Sequence, residues 1–198
     1  MTDAEADRPY DAVEEARLDE QVVKERAGQS NTLEGSGRSH TLVVFANDNH
    51  GALDRIVGVL RRRRAGTQTF TLGRSELPGV LRITVVIDDS EVEVDHLIEQ
   101  LRKVVDVQHI VNLSSGHTVA RELALIKVNS AASHYSEIIE LGHLYGAHVI
   151  DLAQDTVTLE VTGSEEKVET LVSQLQKYGI REIARTGRVA MTRGTRNM

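Results

Sequence analysis

Residues 40–63 read HTLVVFANDNHGALDRIVGVLRRR, and two structural periods stand back to back in them. HTLVVFA (40–46) is an apolar, β-branched run and predicts a strand. Leu53, Ile56, Val57 and Leu60 then recur at helical spacing and predict a helix with one apolar face. Asn47-Asp48-Asn49-His50-Gly51 joins the two as a short polar connection, and Gly66 is the expected left-handed helix stop.

The pattern continues outward. Thr67–Arg74 and Val80–Ile87 predict two strands around the Leu77-Pro78-Gly79 turn. Ser90 and Glu93 have capping-box spacing ahead of an apolar face at Val94, Leu97, Ile98 and Leu101. Val105–Leu113 predicts a closing strand, and Ser114-Ser115-Gly116 a linker. The order then repeats. ELALIKV is a strand, and Ile138, Leu141, Leu144 and Tyr145 line a helix. Val149–Leu152 and Thr156–Val161 are a strand pair, and Val168, Leu171, Val172 and Leu175 line a second helix. Ile180–Met191 is the last strand.

The expected class is therefore α+β, with two ferredoxin-like βαββαβ domains at 39–114 and 118–192. Each would be a four-stranded antiparallel sheet with two helices on one face. The other face, carrying residues such as Val43, Phe45 and Val85 or their neighbours in alternation, needs a partner, so pairing of sheets, edge to edge or face to face, is expected. Residues 1–38 carry ten acidic and five basic residues and a Gly/Ser-rich end, and read as a disordered acidic arm.

Composition excludes several classes of function. The chain has 198 residues, a formal charge of −7 and no cysteine, which removes disulfide scaffolds, thiolate metal sites and cysteine nucleophiles. Aromatic residues are 3% of the chain, too few for a base-stacking platform, and the net charge is acidic; nucleic-acid binding is not expected. No apolar run approaches a membrane span, and the opening MTDAEADRPYDAVEE has no basic-then-apolar pattern. A cytoplasmic location follows as an expectation. None of the eight histidines has HExxH spacing, no GxxxxGK[ST] loop occurs, and Ser133, His134 and Ser136 lack a third orienting group. No catalytic residue and no metal ligand set is expected.

The connection at 47–51 carries the functional reading. Helix-start N–H groups lack internal partners and hold anions such as a carboxylate, Gly51 permits close approach, and Asp48 or Asn49 suits an ammonium. A small zwitterion such as an amino acid fits that combination; so does an ordinary capping turn with no ligand. Arg61, Arg62, Arg63 and Arg64 match the negative end of the helix dipole, and read either as a solvated terminus or as a docking surface for an acidic partner or for the chain's own acidic arm.

Four stretches carry a family resemblance: HTLVVFANDNHGALDRIVGVLRRR, LRKVVDVQHIVNL, VARELALIKV and YGIREIARTGRVAMTRG. Together they resemble the small, regulatory subunits of acetolactate synthase (acetohydroxyacid synthase) over residues 39–194. The resemblance implies that 39–114 is an ACT domain, that two copies pair through their ACT sheets, and that the partner is the large catalytic subunit. That partner would hold thiamine diphosphate, FAD and magnesium, so no cofactor is assigned to this chain. The implied role is stimulation of the synthase with feedback by a branched-chain amino acid, in valine, isoleucine and leucine biosynthesis.

The implied effector site lies where ACT domains meet. It takes in Asn47, Asp48, Asn49, His50, Gly51, Ala52 and Leu53 from the first loop, and Gly66 and Thr67 from a second stretch. Arg55 and Arg61–Arg64 are the candidate partner-facing residues. The chain departs from the family pattern twice: Asp48 stands where Asn is usual, and Gly66 replaces the second effector-contacting Asn. Both changes predict weak valine binding or another effector. They also keep open a second reading, a stand-alone ACT-type amino-acid sensor or divergent paralogue that no longer binds a synthase.

Overall fold

In the computed structural model, residues 38–90, 92–114, 118–130 and 132–194 are described. The arm at 1–37 and the linker residues 115–117 lie outside them. The first run of elements is β1 (Ser39–Asn47), α1 (Ala52–Arg62), β2 (Gly66–Arg74), β3 (Val80–Asp88), α2 (Val94–Arg102) and β4 (Val107–Asn112). The second is β5 (Thr118–Asn129), α3 (Tyr135–Leu144), β6 (His148–Leu152), β7 (Thr156–Gly163), α4 (Glu165–Leu175), β8 (Ile180–Arg185) and β9 (Val189–Thr192). Strand order is β2-β3-β1-β4 in one sheet and β6-β7-β5-β8 in the other, with all pairings antiparallel. This is the βαββαβ ferredoxin-like topology, present twice.

The helices seat as their apolar periods require. Ile56, Val59 and Leu60 of α1 and Leu97, Ile98 and Leu101 of α2 pack on Leu42, Val44, Ile83 and Val85. Val168, Leu171, Val172 and Leu175 of α4 and Ile138 of α3 pack on Ala124, Ile126, Val157 and Leu159. Ser164 caps α4, its hydroxyl accepting from the Lys167 N–H.

Six local expectations change. Val57 is 42% exposed and Leu144 81%, because the buried stripes run through Ala52, Ile56, Val59 and Leu60 in α1 and through Ile138 and Gly142 in α3. Gly66 is not the helix stop. Arg64 takes the left-handed turn (φ 52°), and Gly66 opens β2, where a Cβ would lie 3.3 Å from that of Asp88. Glu93, not Ser90, precedes the first turn of α2 and makes no side-chain cap. Val105 is 83% exposed in the turn before β4, which starts at Val107. Val85 faces the helices, since its register partner is Leu42 rather than Val43. The last strand is two strands, broken at Gly187 (φ 78°), and β9 pairs with the first third of β5 rather than continuing β8.

That last change accounts for the face left open by the helices. Ala190 of β9 and Ala120 of β5 lie against Val43, Phe45, Val80 and Leu113, so a two-stranded ribbon of the same chain covers the helix-free side of the first sheet. β1, the central strand, is thereby buried on both faces, which is what its unbroken apolar run requires. The described residues form one compact unit.

Candidate functional site

The connection from β1 to α1 is held by the two turns beside it. Asn47 N–H donates to the Asp106 carbonyl at 2.8 Å, and Asp48 N–H to the Gly79 carbonyl at 2.8 Å. Asn49 N–H turns back on Asn47 O (2.9 Å), and Ala52 N–H on Asn49 O (3.1 Å). Gly51 adopts φ 78°, a left-handed conformation that disfavours any side chain, and there a Cβ would lie 3.0 Å from Arg55 Nη1. Among the described residues, the Leu53 and Asp54 N–H groups in the first turn of α1 find no acceptor. Asp48, Asn49 and His50 are exposed, Asn47, Gly51 and Leu53 partly so, and the Ala52 side chain lies in the core.

Asp106, between α2 and β4, organises this loop from beneath. Its side chain is 5% exposed and accepts from Arg55 Nε at 2.7 Å. The Arg55 guanidinium also reaches the His50 carbonyl at 3.3 Å. The hydrogen bond from Arg55, joined by Arg55's charge and by Asn49, outweighs burial and holds the Asp106 carboxyl below the usual carboxylate range. The same bond raises the Arg55 guanidinium above its ordinary value. Asn47 Oδ1 accepts from Gln108 Nε2 at 2.6 Å. Arg55 thus belongs to the loop. Asp106 escaped the sequence reading because it sits in an aperiodic turn; its only sign was its place in LRKVVDVQHIVNL.

Gly66 and Thr67 lie elsewhere in the protomer. They pair with Asp88 and Ile87, at the far end of β3 from Val80, the register partner of Asn47. Eight residue steps of strand separate the two ends, about 26 Å. Within one chain the two parts of the sequence-derived site are therefore apart. Arg61–Arg64 are all exposed at the C-terminal end of α1.

Near the Gly66 end of the sheet is a cavity of about 550 Å³ bordered by His40, Asp89, Glu93, Asp95 and Asn112. His40 Nε2 is 3.0 Å from Asp89 Oδ2 and Nδ1 is 3.2 Å from Ser114 Oγ. This is not a nucleophile relay. The Ser114 hydroxyl donates to Asn112 Oδ1 and accepts from Thr41 N–H, so it gives no proton to His40. Among the described residues no group of three or more His, Asp or Glu side chains is placed to hold a metal, and no helix is long and apolar enough to cross a membrane.

Comparison with known proteins follows the same division. A family model described as an AHAS small subunit-like ACT domain matches residues 42–109, within β1–β4, and one described as the small subunit of acetolactate synthase matches 121–194, from β5 to just past β9. The acetolactate synthase small subunit of Mycolicibacterium smegmatis is 38% identical over 160 residues, 81% of this chain and 94% of that one. The chloroplastic acetolactate synthase small subunit 2 of Arabidopsis thaliana is 40% identical over 156 residues, 79% of this chain but 33% of that longer protein. The crystal structure of the Thermotoga maritima acetolactate synthase small subunit superposes with a TM-score of 0.74 at 29% identity, covering 80% of this chain and 99% of that one. The chain belongs to the ACT-domain family of acetolactate synthase small subunits, non-catalytic regulatory proteins.

Proposed function

We propose that this chain binds the catalytic subunit of acetolactate synthase, stimulates it, and relays feedback from a branched-chain amino acid in valine, isoleucine and leucine biosynthesis. The observation that carries the reading is the loop at 47–53: a pre-ordered turn with a helix start open to an anion, braced by Arg55 and Asp106, in the unit matched as an ACT domain. Such a loop offers N–H donors to a carboxylate and the Asp48 side chain to an ammonium. Residues 39–114 would serve as the sensing domain and 118–192 as the second, in a cytoplasmic complex whose thiamine diphosphate, FAD and magnesium belong to the catalytic partner. Arg61–Arg64 are the proposed contact with an acidic surface of that partner.

A homodimer through the ACT sheets makes sense of the separated site. β2 is an edge strand with free outer hydrogen-bonding groups. Antiparallel pairing of two β2 strands sets Gly66 and Thr67 of one copy beside the Asn47 end of the other. The effector pocket is then shared between protomers. Asp48 and Gly66 favour the second reading, a sensor detached from any synthase, since both remove amide contacts that the family uses. Capture of the full chain from native lysate separates the two: a flavin-yellow large subunit in the eluate supports the first, and the chain alone supports the second.

A further inference from the structure

The ribbon strand β9 is held to the first sheet chiefly by polar contacts. Its apolar footprint is one small side chain, Ala190. Arg82 of β3 donates from Nη2 to the Ala190 carbonyl at 2.6 Å, while its guanidinium lies 5.0 Å from the centre of the Phe45 ring. Phe45 in turn stacks on His109 of β4, ring centres 4.2 Å apart. Next to β9, Arg188 donates to Thr41 Oγ1 at 2.9 Å and also pairs with Glu165 at the start of α4. Thr71 Oγ1 of β2 donates to Thr186 O at 3.2 Å, and Gly187 passes so close to β2 that a Cβ would lie 3.2 Å from that of Thr69. Burial lowers the Arg82 guanidinium from its ordinary value against the opposing Glu76 charge, and among the described residues no carboxylate pairs with it directly; its contacts are a π face and one carbonyl.

Arg82 is also close in the chain to the loop. Asp48 N–H bonds the Gly79 carbonyl, Gly79 leads into Val80, Val80 packs in the Ala190 cluster, and Arg82 follows two residues on. We propose that Val189–Thr192 is a strap through which the second βαββαβ unit senses the state of the 47–53 loop, with Arg82 as the positioning residue that couples them. A change at the loop shifts the Gly79–Val80 turn, and that shift reaches β9 through Arg82 and Val80. The proposal rests on 47–53 being the effector loop, but its test needs neither effector nor synthase, so it can fail while that reading stands.

The test is amide hydrogen exchange on the full chain with Arg82→Met, Arg82→Lys, Gly51→Ala and the Gly51→Ala/Arg82→Met double variant. Arg82→Met should speed exchange at 189–192 by about tenfold while peptides covering 97–101 and 157–161 stay within about twofold of the parent. Arg82→Lys, which keeps a donor for Ala190 O, should restore most of the protection. Gly51→Ala perturbs the loop alone and should speed exchange at 189–192 by about threefold in the parent and by clearly less in Arg82→Met, the non-additivity of coupled sites. Gly79→Ala, strained at φ 73° in open space, serves in its place if Gly51→Ala does not fold. Unchanged exchange at 189–192 in Arg82→Met, a uniform rise across the chain, or strict additivity in the double variant overturns the proposal.

Discussion

Arg55 Nε lies 2.7 Å from Asp106 Oδ2, an ion pair that closes 51 residues of chain and ties the first turn of α1 to the turn entering β4. Asp106 is buried and Arg55 half exposed, so the contact presents a braced cation at the loop while hiding the anion that holds it. The loop's shape is thus set from a distant part of the sequence.

Asp106 gives the pair a defined pH dependence. Its carboxyl is held below the usual range, so the stability it contributes is complete above that range and is lost as pH falls through the lowered value. Asp106→Asn should therefore melt several degrees below the parent at about pH 7, with the gap closing below about pH 4. Thermal melts of both proteins from about pH 7 down to about pH 2 check it. An equal gap at both ends would show that the carboxylate charge is not what braces the loop.

In the proposed effector loop, Asp48 is the residue expected to set affinity. One charge-assisted hydrogen bond is worth about 1.5–3 kcal/mol, and a carboxylate beside a ligand carboxylate adds repulsion. Valine titrated into the parent by calorimetry should bind weaker than about 100 μM, and Asp48→Asn should tighten it by about tenfold or more. Tight binding by the parent, or no gain from the substitution, contradicts this.

In the proposed homodimer the β2 edge is the interface. Leu72 is 44% exposed on that strand. Leu72→Arg should fold normally, since exposed substitutions shift stability by about 0.5 kcal/mol or less, yet sediment as a monomer where the parent sediments as a dimer. A variant that stays dimeric at the parent's concentration moves the interface away from β2.

The buried stripes make a contrast of their own. Leu97→Ala and Leu171→Ala each empty a fully buried position and should cost about 2–5 kcal/mol in urea unfolding. Val57→Ala and Leu144→Ala, at positions the periodicity had placed in the core, should cost about 0.5 kcal/mol or less. Equal costs would return Val57 and Leu144 to the core.

What was legible in the sequence follows from the range of each signal. The βαββαβ order and the faces of α2 and α4 were, because Val94-Leu97-Ile98-Leu101 and Val168-Leu171-Val172-Leu175 repeat within one helix. The 47–51 loop was legible because its polar residues interrupt two apolar patterns. Strand register was not: only pairing with Asp88 shows that Gly66 lies at the opposite end from Asn47. Nor was Asp106, whose partner is 51 residues away. The ribbon was not legible because a strand reading of Ile180–Met191 runs straight through Thr186-Gly187-Arg188, where the left-handed turn at Gly187 breaks it.

Acetolactate formation by the organism's own catalytic subunit, measured with and without this chain, tests the account most directly. The account predicts a several-fold rise in rate on adding the chain, no product from the chain alone, and suppression of the rise by one branched-chain amino acid. A rate unchanged by saturating amounts of the chain would contradict it.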